Sequence, residues 1–144
     1  MDYRQYAKEL LCRKRNLESA YSAIVRELES LEQERCAYKS RMMSEPEGEP
    51  EQMRRKGLMD TLAGIEDCRL RKSVVERELM MIEKGMSGLN PYQKELLECF
   101  FIDRQAGAAD DFMDKYFKER SSVYRDRSRA LDAFTRSVYG VLSL

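Results

Sequence analysis

Cationic side chains are concentrated between positions 115 and 129, in the segment "KYFKERSSVYRDRSR". This segment carries six Lys and Arg against two acidic residues, whereas the whole chain has 26 of each sign. Serine hydroxyls and the amides at a helix N-terminus suit phosphate oxygens, and an arginine fork can reach two acceptors on one base. The residue types therefore indicate local binding to a polyanion, despite the zero net charge of the chain.

A helix starting near Ser121 positions these residues. Its inward face is predicted to consist of the apolar residues Val123, Ala130, Leu131, Phe134 and Val138. The outward arc and the segment before it then hold the candidate contacts to an anionic partner: Lys118, Arg120, Ser121, Ser122, Tyr124, Arg125, Ser128 and Arg129. A charged arc on an amphipathic helix is most often only a solvated face, and that interpretation stays open.

Two further helices precede this one. The segment "LNPYQKELLECFFIDR" has Asn90 as a cap, Pro91 at the first helical position and Gln93 placed for a capping box. After the break "QAGAAD", the segment at 110–117 predicts a short helix whose inner side consists of Phe112, Met113, Tyr116 and Phe117. Three helices with the last two closely linked are a helix-turn-helix candidate.

The first half of the chain has a coiled-coil pattern. Apolar or long-stemmed residues recur at spacings of four and three from Tyr3 to Met42, which predicts one helix of about 60 Å that needs a partner helix. The proline- and glutamate-rich segment 43–52 predicts an acidic loop, and a second apolar stripe runs from about Gln52 to Met86. We expect an antiparallel hairpin, although the same seam can pair between two chains.

The predicted fold is therefore all-α, with a coiled-coil hairpin at 1–88 and a helix-turn-helix domain at 89–144. The glycine-containing segment 85–88 marks the boundary between the two.

Composition argues against several classes of protein. The chain has no histidine, four isolated cysteines and no glycine-rich phosphate loop, so we expect no enzyme, no metal site and no cofactor. It shows neither a signal-peptide pattern nor a run of about 18 apolar residues. These features lead us to expect a soluble, cytoplasmic protein with no membrane partner.

Two segments resemble a known family. The string "SSVYRDRSRAL" resembles the recognition helix of the region 4 domain of sigma-70-type sigma factors, where a buried valine precedes an Ala-Leu pair by seven residues. The segment "LNPYQKELLECFFIDR" is similar to the helix that opens that domain. "VYR" at 123–125, behind a charged coiled coil, resembles the RinA- and ArpU-type regulators of phages and prophages of Gram-positive bacteria. The likeness covers roughly residues 89–140.

The chain departs from that family at the turn. The small residue of the family's second helix falls on Met113, and the glycine and apolar residue of its turn fall on Phe117 and Lys118. A bulkier turn is expected to alter the angle between the two helices and hence the docking pose.

The resemblance implies a transcriptional regulator of phage or prophage genes. Its last helix would dock in the major groove of double-stranded DNA, and its coiled coil would serve self-association as a homodimer or contact with RNA polymerase. The alternative is a coiled-coil adaptor or assembly protein whose C-terminal helices cap the hairpin or bind a protein, with no binding to DNA.

Overall fold

The computed structural model describes residues 1–43 and 51–144, and these residues form helices connected by short turns. The helices are α1 (Tyr3–Cys12), α2 (Lys14–Met43), α3 (Glu51–Ser87), α4 (Pro91–Leu97), α5 (Ala108–Tyr116) and α6 (Arg120–Tyr139). A π-helical turn, Glu98–Ile102, follows α4 directly. The described part of the chain contains no β-strand, which confirms the predicted all-α class.

The contacts divide the chain into two compact units. The first unit consists of Met1–Leu17 and Glu78–Leu144, and the second unit consists of Glu18–Arg77. The sequence placed the boundary near residue 88 instead. The difference arises because α1 and the last turns of α3 contribute to the same core as the C-terminal helices. The predicted acidic loop at 43–52 lies mostly outside the described residues.

Helix α6 is the central element of the first unit. It contacts α1, α4 and α5. Its inward residues Val123, Ala130 and Phe134 are completely buried, and Leu131 is nearly so. Burying a Val, Leu or Phe side chain stabilises a fold by about 1.5–3 kcal/mol, so this face determines the rotation of α6 about its axis. The predicted inward face is therefore confirmed, although Val138 is only half-buried.

Helix α4 begins as the sequence predicts. The side chain of Asn90 accepts a hydrogen bond from the Gln93 amide at 2.8 Å, and the Gln93 side chain accepts one from the Asn90 amide at 3.2 Å. This reciprocal capping box satisfies two amides that a helix N-terminus otherwise leaves free. It starts α4 at Pro91, which places Leu96 in a buried cluster with Phe112 of α5 and Val123 of α6.

One prediction about the turn between α5 and α6 is wrong. The sequence placed Phe117 on the inner side of the second helix, but its side chain is 94% exposed. Phe117 ends α5 in the left-handed conformation, at φ 53° and ψ 47°, and this change of direction turns the side chain outward. The turn therefore keeps the backbone conformation that glycine adopts most easily, with an aromatic residue in that place.

The first helix is also shorter than predicted. The sequence indicated one helix from Tyr3 to Met42, whereas the helix is interrupted at Arg13. The physical reason is that α1 packs on α6 and the π-helical turn, burying Ala7, Leu10 and Leu11, instead of continuing a coiled-coil seam. Hydrogen bonds from the amides of Tyr3 and Leu144 to the carbonyls of Leu142 and Met1 join α1 to the C-terminal segment.

The second unit is an antiparallel pair of helices. Ion pairs join Arg69 to Glu32 at 3.2 Å and Arg71 to Glu27 at 3.0 Å. Ile24 on α2 and Ile65 and Cys68 on α3 are buried, as the stripe predicted. The described helices thus pair within one chain, which supports the hairpin.

A close helix approach in the first unit gives a testable prediction. A Cβ atom added at Gly85 would lie 2.5 Å from Phe134 Cδ2 and 2.7 Å from Val138 Cγ2. We expect Gly85→Ala to lower the free energy of unfolding, measured by urea denaturation, by about 1–3 kcal/mol because the buried ring must move. The control is Gly88→Ala, where the nearest atom is Ser137 Oγ at 3.6 Å. Equal stability of the two variants would contradict this packing.

Candidate nucleic-acid interface

The outward arc of α6 is exposed as predicted for most of the candidate residues. Exposed side chains are Arg120, Ser121, Arg125, Ser128 and Arg129. Ser122 and Tyr124 are half-buried, and so is Lys118 in the turn. The structure therefore gathers the eight candidates on one helix and the turn before it, but they are not equally accessible to a partner.

Lys118 belongs to a local network of side chains. Its Nζ donates to Asp126 Oδ2 at 2.7 Å, and the Tyr92 hydroxyl donates to the same oxygen at 2.8 Å. The lysine also lies 4.7 Å from the centre of the Tyr92 ring. Burial alone would raise the pKa of Asp126, but the hydrogen bonds from Lys118 and Tyr92 outweigh it and lower that pKa. Lys118 is thus held against the protein by a carboxylate.

Two other cations of the segment are paired with acids from neighbouring elements. Arg120 contacts Asp110 of α5 at 2.7 Å. Lys115 contacts Glu95 of α4 at 2.6 Å, and the Tyr116 hydroxyl donates to the same carboxylate. The hydrogen bonds from Lys115 and Tyr116 lower the pKa of Glu95. Tertiary contacts therefore neutralise part of the charge excess that the sequence shows.

Arg127 is directed toward the aromatic residues of the π-helical turn. Its guanidinium carbon lies 4.7 Å from the ring centre of Tyr124, 5.2 Å from that of Phe100 and 5.6 Å from that of Phe101. Cation–π contacts of this kind keep an arginine charged while its stem packs on apolar surface. Tyr124 was predicted to face outward. Its ring instead contacts Arg127 and the Phe100 ring, so less of it is accessible to a partner.

Arg125 and Arg129 remain as accessible cations. Neither makes an ion pair with any residue in the described ranges, and both are exposed on the same side of α6 as Ser121 and Ser128. Arg136, seven residues after Arg129, is exposed on the same arc. Sequence reasoning did not include Arg136, although its spacing could have identified it. The arc can supply two or three guanidinium forks and two hydroxyls to an anionic surface.

Helix α1 supplies residues that the sequence did not associate with this surface. Arg4 Nε donates to Asp132 Oδ1 at 2.7 Å, and this hydrogen bond raises the pKa of Arg4. Lys8 lies one turn further along α1 and is half-buried. No sequence signal identifies these two residues, because the heptad pattern assigned α1 to the coiled coil. Among the described residues, no group of side chains could hold a metal ion.

Comparison with known proteins finds no match: no family model fits this sequence, and no curated protein or solved structure is similar to it. The likeness to sigma region 4 regulators therefore stays a prediction from the residues. Within residues 1–43 and 51–144, none of the helices has the length and apolar character needed to cross a bilayer.

The Lys118–Asp126 pair predicts a coupling that depends on pH. The pKa of Asp126 is lowered in the folded state, so its contribution to stability is present above the ordinary aspartate pKa, about 3.9, and is lost as pH falls through the folded value. A double-mutant cycle with Lys118→Met and Asp126→Asn should show a favourable coupling energy at about pH 7 that is smaller at a pH below the folded pKa of Asp126. Urea denaturation measures the free energy of unfolding of the unchanged protein, of each single variant and of the double variant. The same coupling at both pH values would show that ionisation of Asp126 plays no part.

Proposed function

We propose that this protein is a DNA-binding transcriptional regulator that places α6 in the major groove of double-stranded DNA. A major groove about 12 Å wide admits one α-helix. Helix α6 projects an exposed arc of arginine and serine residues while its opposite face is buried, and a three-residue turn joins it to α5. These features, together with the resemblance in residues 89–140, support α6 as a recognition helix.

The observation that carries the proposal is the pair of exposed guanidinium groups of Arg125 and Arg129. The other four cations of the segment are engaged with carboxylates or aromatic rings, whereas these two make no ion pair within the described residues. An arginine with a free planar fork can bind guanine O6 and N7 or a phosphate without first losing a protein partner. Lys118 and Arg120 are already paired, so a phosphate at the start of α6 would have to compete with Asp126 and Asp110 for them.

Substitution of Arg125 tests this function. We expect Arg125→Ala to weaken duplex binding by about 1–3 kcal/mol, because a bidentate contact to a base is lost. Arg125→Lys should restore little of that loss, since an ammonium group cannot make the planar two-point contact. Fluorescence anisotropy with a pool of labelled promoter duplexes, at about 50 and 200 mM salt, measures both effects.

The matched control is Arg77→Ala, which removes an exposed helical arginine from α3. Its affinity should equal that of the unchanged protein. Full recovery in Arg125→Lys would indicate a phosphate contact in place of base recognition. If the intact protein binds no duplex in the pool at either salt concentration, the proposal fails and the coiled-coil adaptor becomes the better explanation.

Self-association through the hairpin is the second part of the proposal. Helix α3 has six exposed apolar residues, of which Met53 and Met80 lie nearer its ends. The other four lie on one side of its middle part: Met59, Leu62, Leu70 and Val74. Their spacings of three, eight and four residues are nearly the same in reverse order. In an antiparallel pairing of two copies, Leu70 would lie opposite Leu62 of the partner subunit. This self-complementarity is what a two-fold interface requires, and it favours a second copy as the occupant.

The centre of that stripe is acidic, but the charge is compensated locally. Asp67 contacts Arg71 at 2.9 Å, and Glu66 lies 3.8 Å from Arg69. Both contacts are within α3, so the acids of two facing copies would approach each other already paired. A dimer would also present two copies of α6 to DNA, which raises affinity when each copy makes few phosphate contacts.

Leu70→Lys tests the dimer. We expect it to raise the dissociation constant of the dimer at least tenfold, about 1.4 kcal/mol, because each interface would contain two desolvated lysines. Met43→Lys is the control: Met43 is exposed at the end of α2, outside α3, and its substitution makes the same change in net charge. Sedimentation velocity over a concentration series measures association. A monomeric unchanged protein, or equal effects of the two variants, would contradict the interface.

Only the resemblance supports a proposal about which genes are regulated and about contact with RNA polymerase. A phage or prophage gene set is proposed on that ground. So is contact between the hairpin and RNA polymerase, for which the α2 face of the hairpin, away from the apolar stripe of α3, would remain available in a dimer.

A further inference from the structure

A cationic cleft lies between α1, the π-helical turn and α6. Its volume is about 180 Å³, and its lining consists of Arg4, Lys8, Phe101, Arg127, Ser128, Leu131 and Asp132. Liquid water occupies about 30 Å³ per molecule, so the cleft has room for a phosphate group that keeps part of its hydration shell. All of its residues belong to the first unit.

The charges in this cleft are unbalanced. Three cationic side chains and one carboxylate line it, and that carboxylate, Asp132, is paired with Arg4 at 2.7 Å. Arg4 also lies 3.7 Å from Asp2, which is not part of the lining. Arg127 is held over three aromatic rings and contacts no carboxylate among the described residues. Lys8 is half-buried and has no ion pair within the same residues. A lysine without an ion pair that lines the same cleft as an arginine is a favourable environment for an anion.

The cleft adjoins the exposed arc of α6. Ser128 lines the cleft and also belongs to the arc that carries Arg125 and Arg129. Helices α1 and α6 run in opposite directions, because Tyr3 contacts Tyr139 while Lys8, further along α1, lines the cleft with Arg127 and Ser128. Lys8 therefore lies beside the middle of α6, flanking the arc on the side of Arg127.

We propose that this cleft binds a phosphate of the DNA backbone, so that α1 is part of the nucleic-acid interface. This inference rests on the proposed function, because a helix in the major groove has a sugar-phosphate strand along its flank. Lys8 donates to the phosphate oxygens, the Ser128 hydroxyl donates from the other side, and Arg4 keeps the Asp132 carboxylate neutralised. The contact positions α6 on the duplex and carries no sequence information of its own.

The experiment compares Lys8→Met with Lys39→Met in salt titrations of duplex binding. Methionine keeps an unbranched apolar stem and removes the charge, so the half-buried position stays filled. Lys39 is an exposed lysine on α2 in the second unit, and its substitution makes the same change in net charge. Losing one phosphate contact lowers the slope of log K against log salt by about 0.9, which is roughly eightfold in affinity at 0.1 M salt.

We expect this change for Lys8→Met, an unchanged slope for Lys39→Met, and the same order of preference among duplexes for both. Lys8→Arg should retain the slope of the unchanged protein, which excludes a packing defect as the cause. If Arg125→Ala loses binding while Lys8→Met keeps the slope of the unchanged protein, the cleft is not a phosphate site and the proposed function stands. If the intact protein binds no duplex, both proposals are overturned.

Discussion

The burial of the inner face of α6 is the constraint on which the rest of the first unit depends. Phe134 packs so closely on α3 that only glycine fits at position 85, and Val123 joins the cores of α4 and α5 at the other end of the helix. A helix held at both ends cannot rotate about its axis, so its outward residues have fixed directions. The backbone positions of Arg125 and Arg129 are therefore fixed before a partner binds, although their exposed side chains still lose rotamer freedom on binding.

Carboxylates on α5 and on α6 itself decide which cations in and around the exposed arc are available. Asp110, Asp126 and Asp132 hold Arg120, Lys118 and Arg4 in turn. An exposed ion pair such as Arg120–Asp110 contributes little to stability, typically below about 1 kcal/mol, whereas Lys118–Asp126 and Arg4–Asp132 are partly buried. Their main physical effect is to orient long side chains and to lower the local charge. A protein without net charge can thereby keep a small cationic surface at a chosen place.

The parts of the structure that local chemistry determines could be predicted from the sequence. The Asn90 cap, the inward face of α6 and the apolar stripes of the hairpin depend on residues within a few turns of each other. The assignments that failed depend on tertiary contacts. Helix α1 has a heptad-like spacing, yet Ala7 and Leu10 of that spacing are buried in the first unit, where α1 packs on α6. Spacing alone cannot distinguish one apolar partner from another. Phe117 points outward because its backbone is in the left-handed conformation. The sequence gives no sign of that conformation, since neither glycine nor asparagine occupies the position.

The same distinction applies to the candidate site. The eight candidate residues do lie together, because they belong to one helix and its turn. Their availability could not be predicted, since it depends on Tyr92, Asp110 and the rings of the π-helical turn, which are distant in sequence. The cleft beside Ser128 could not be predicted either, because the helices that form it, α1 and α6, are separated by more than a hundred residues.

The charge arrangement also links the two halves of the proposal. With four of six cations engaged, one copy of α6 makes few new phosphate contacts, and a phosphate that approaches Arg120 must compete with Asp110 for its guanidinium. Few phosphate contacts give weak binding to DNA, but two linked copies convert the second binding step into an intramolecular one. A regulator built on a neutral chain therefore needs either extra cations from another element, as α1 supplies, or a second copy, as the stripe on α3 would recruit. These two contributions act on different terms of the binding free energy, since the first adds a contact within one copy and the second raises the effective concentration of its neighbour.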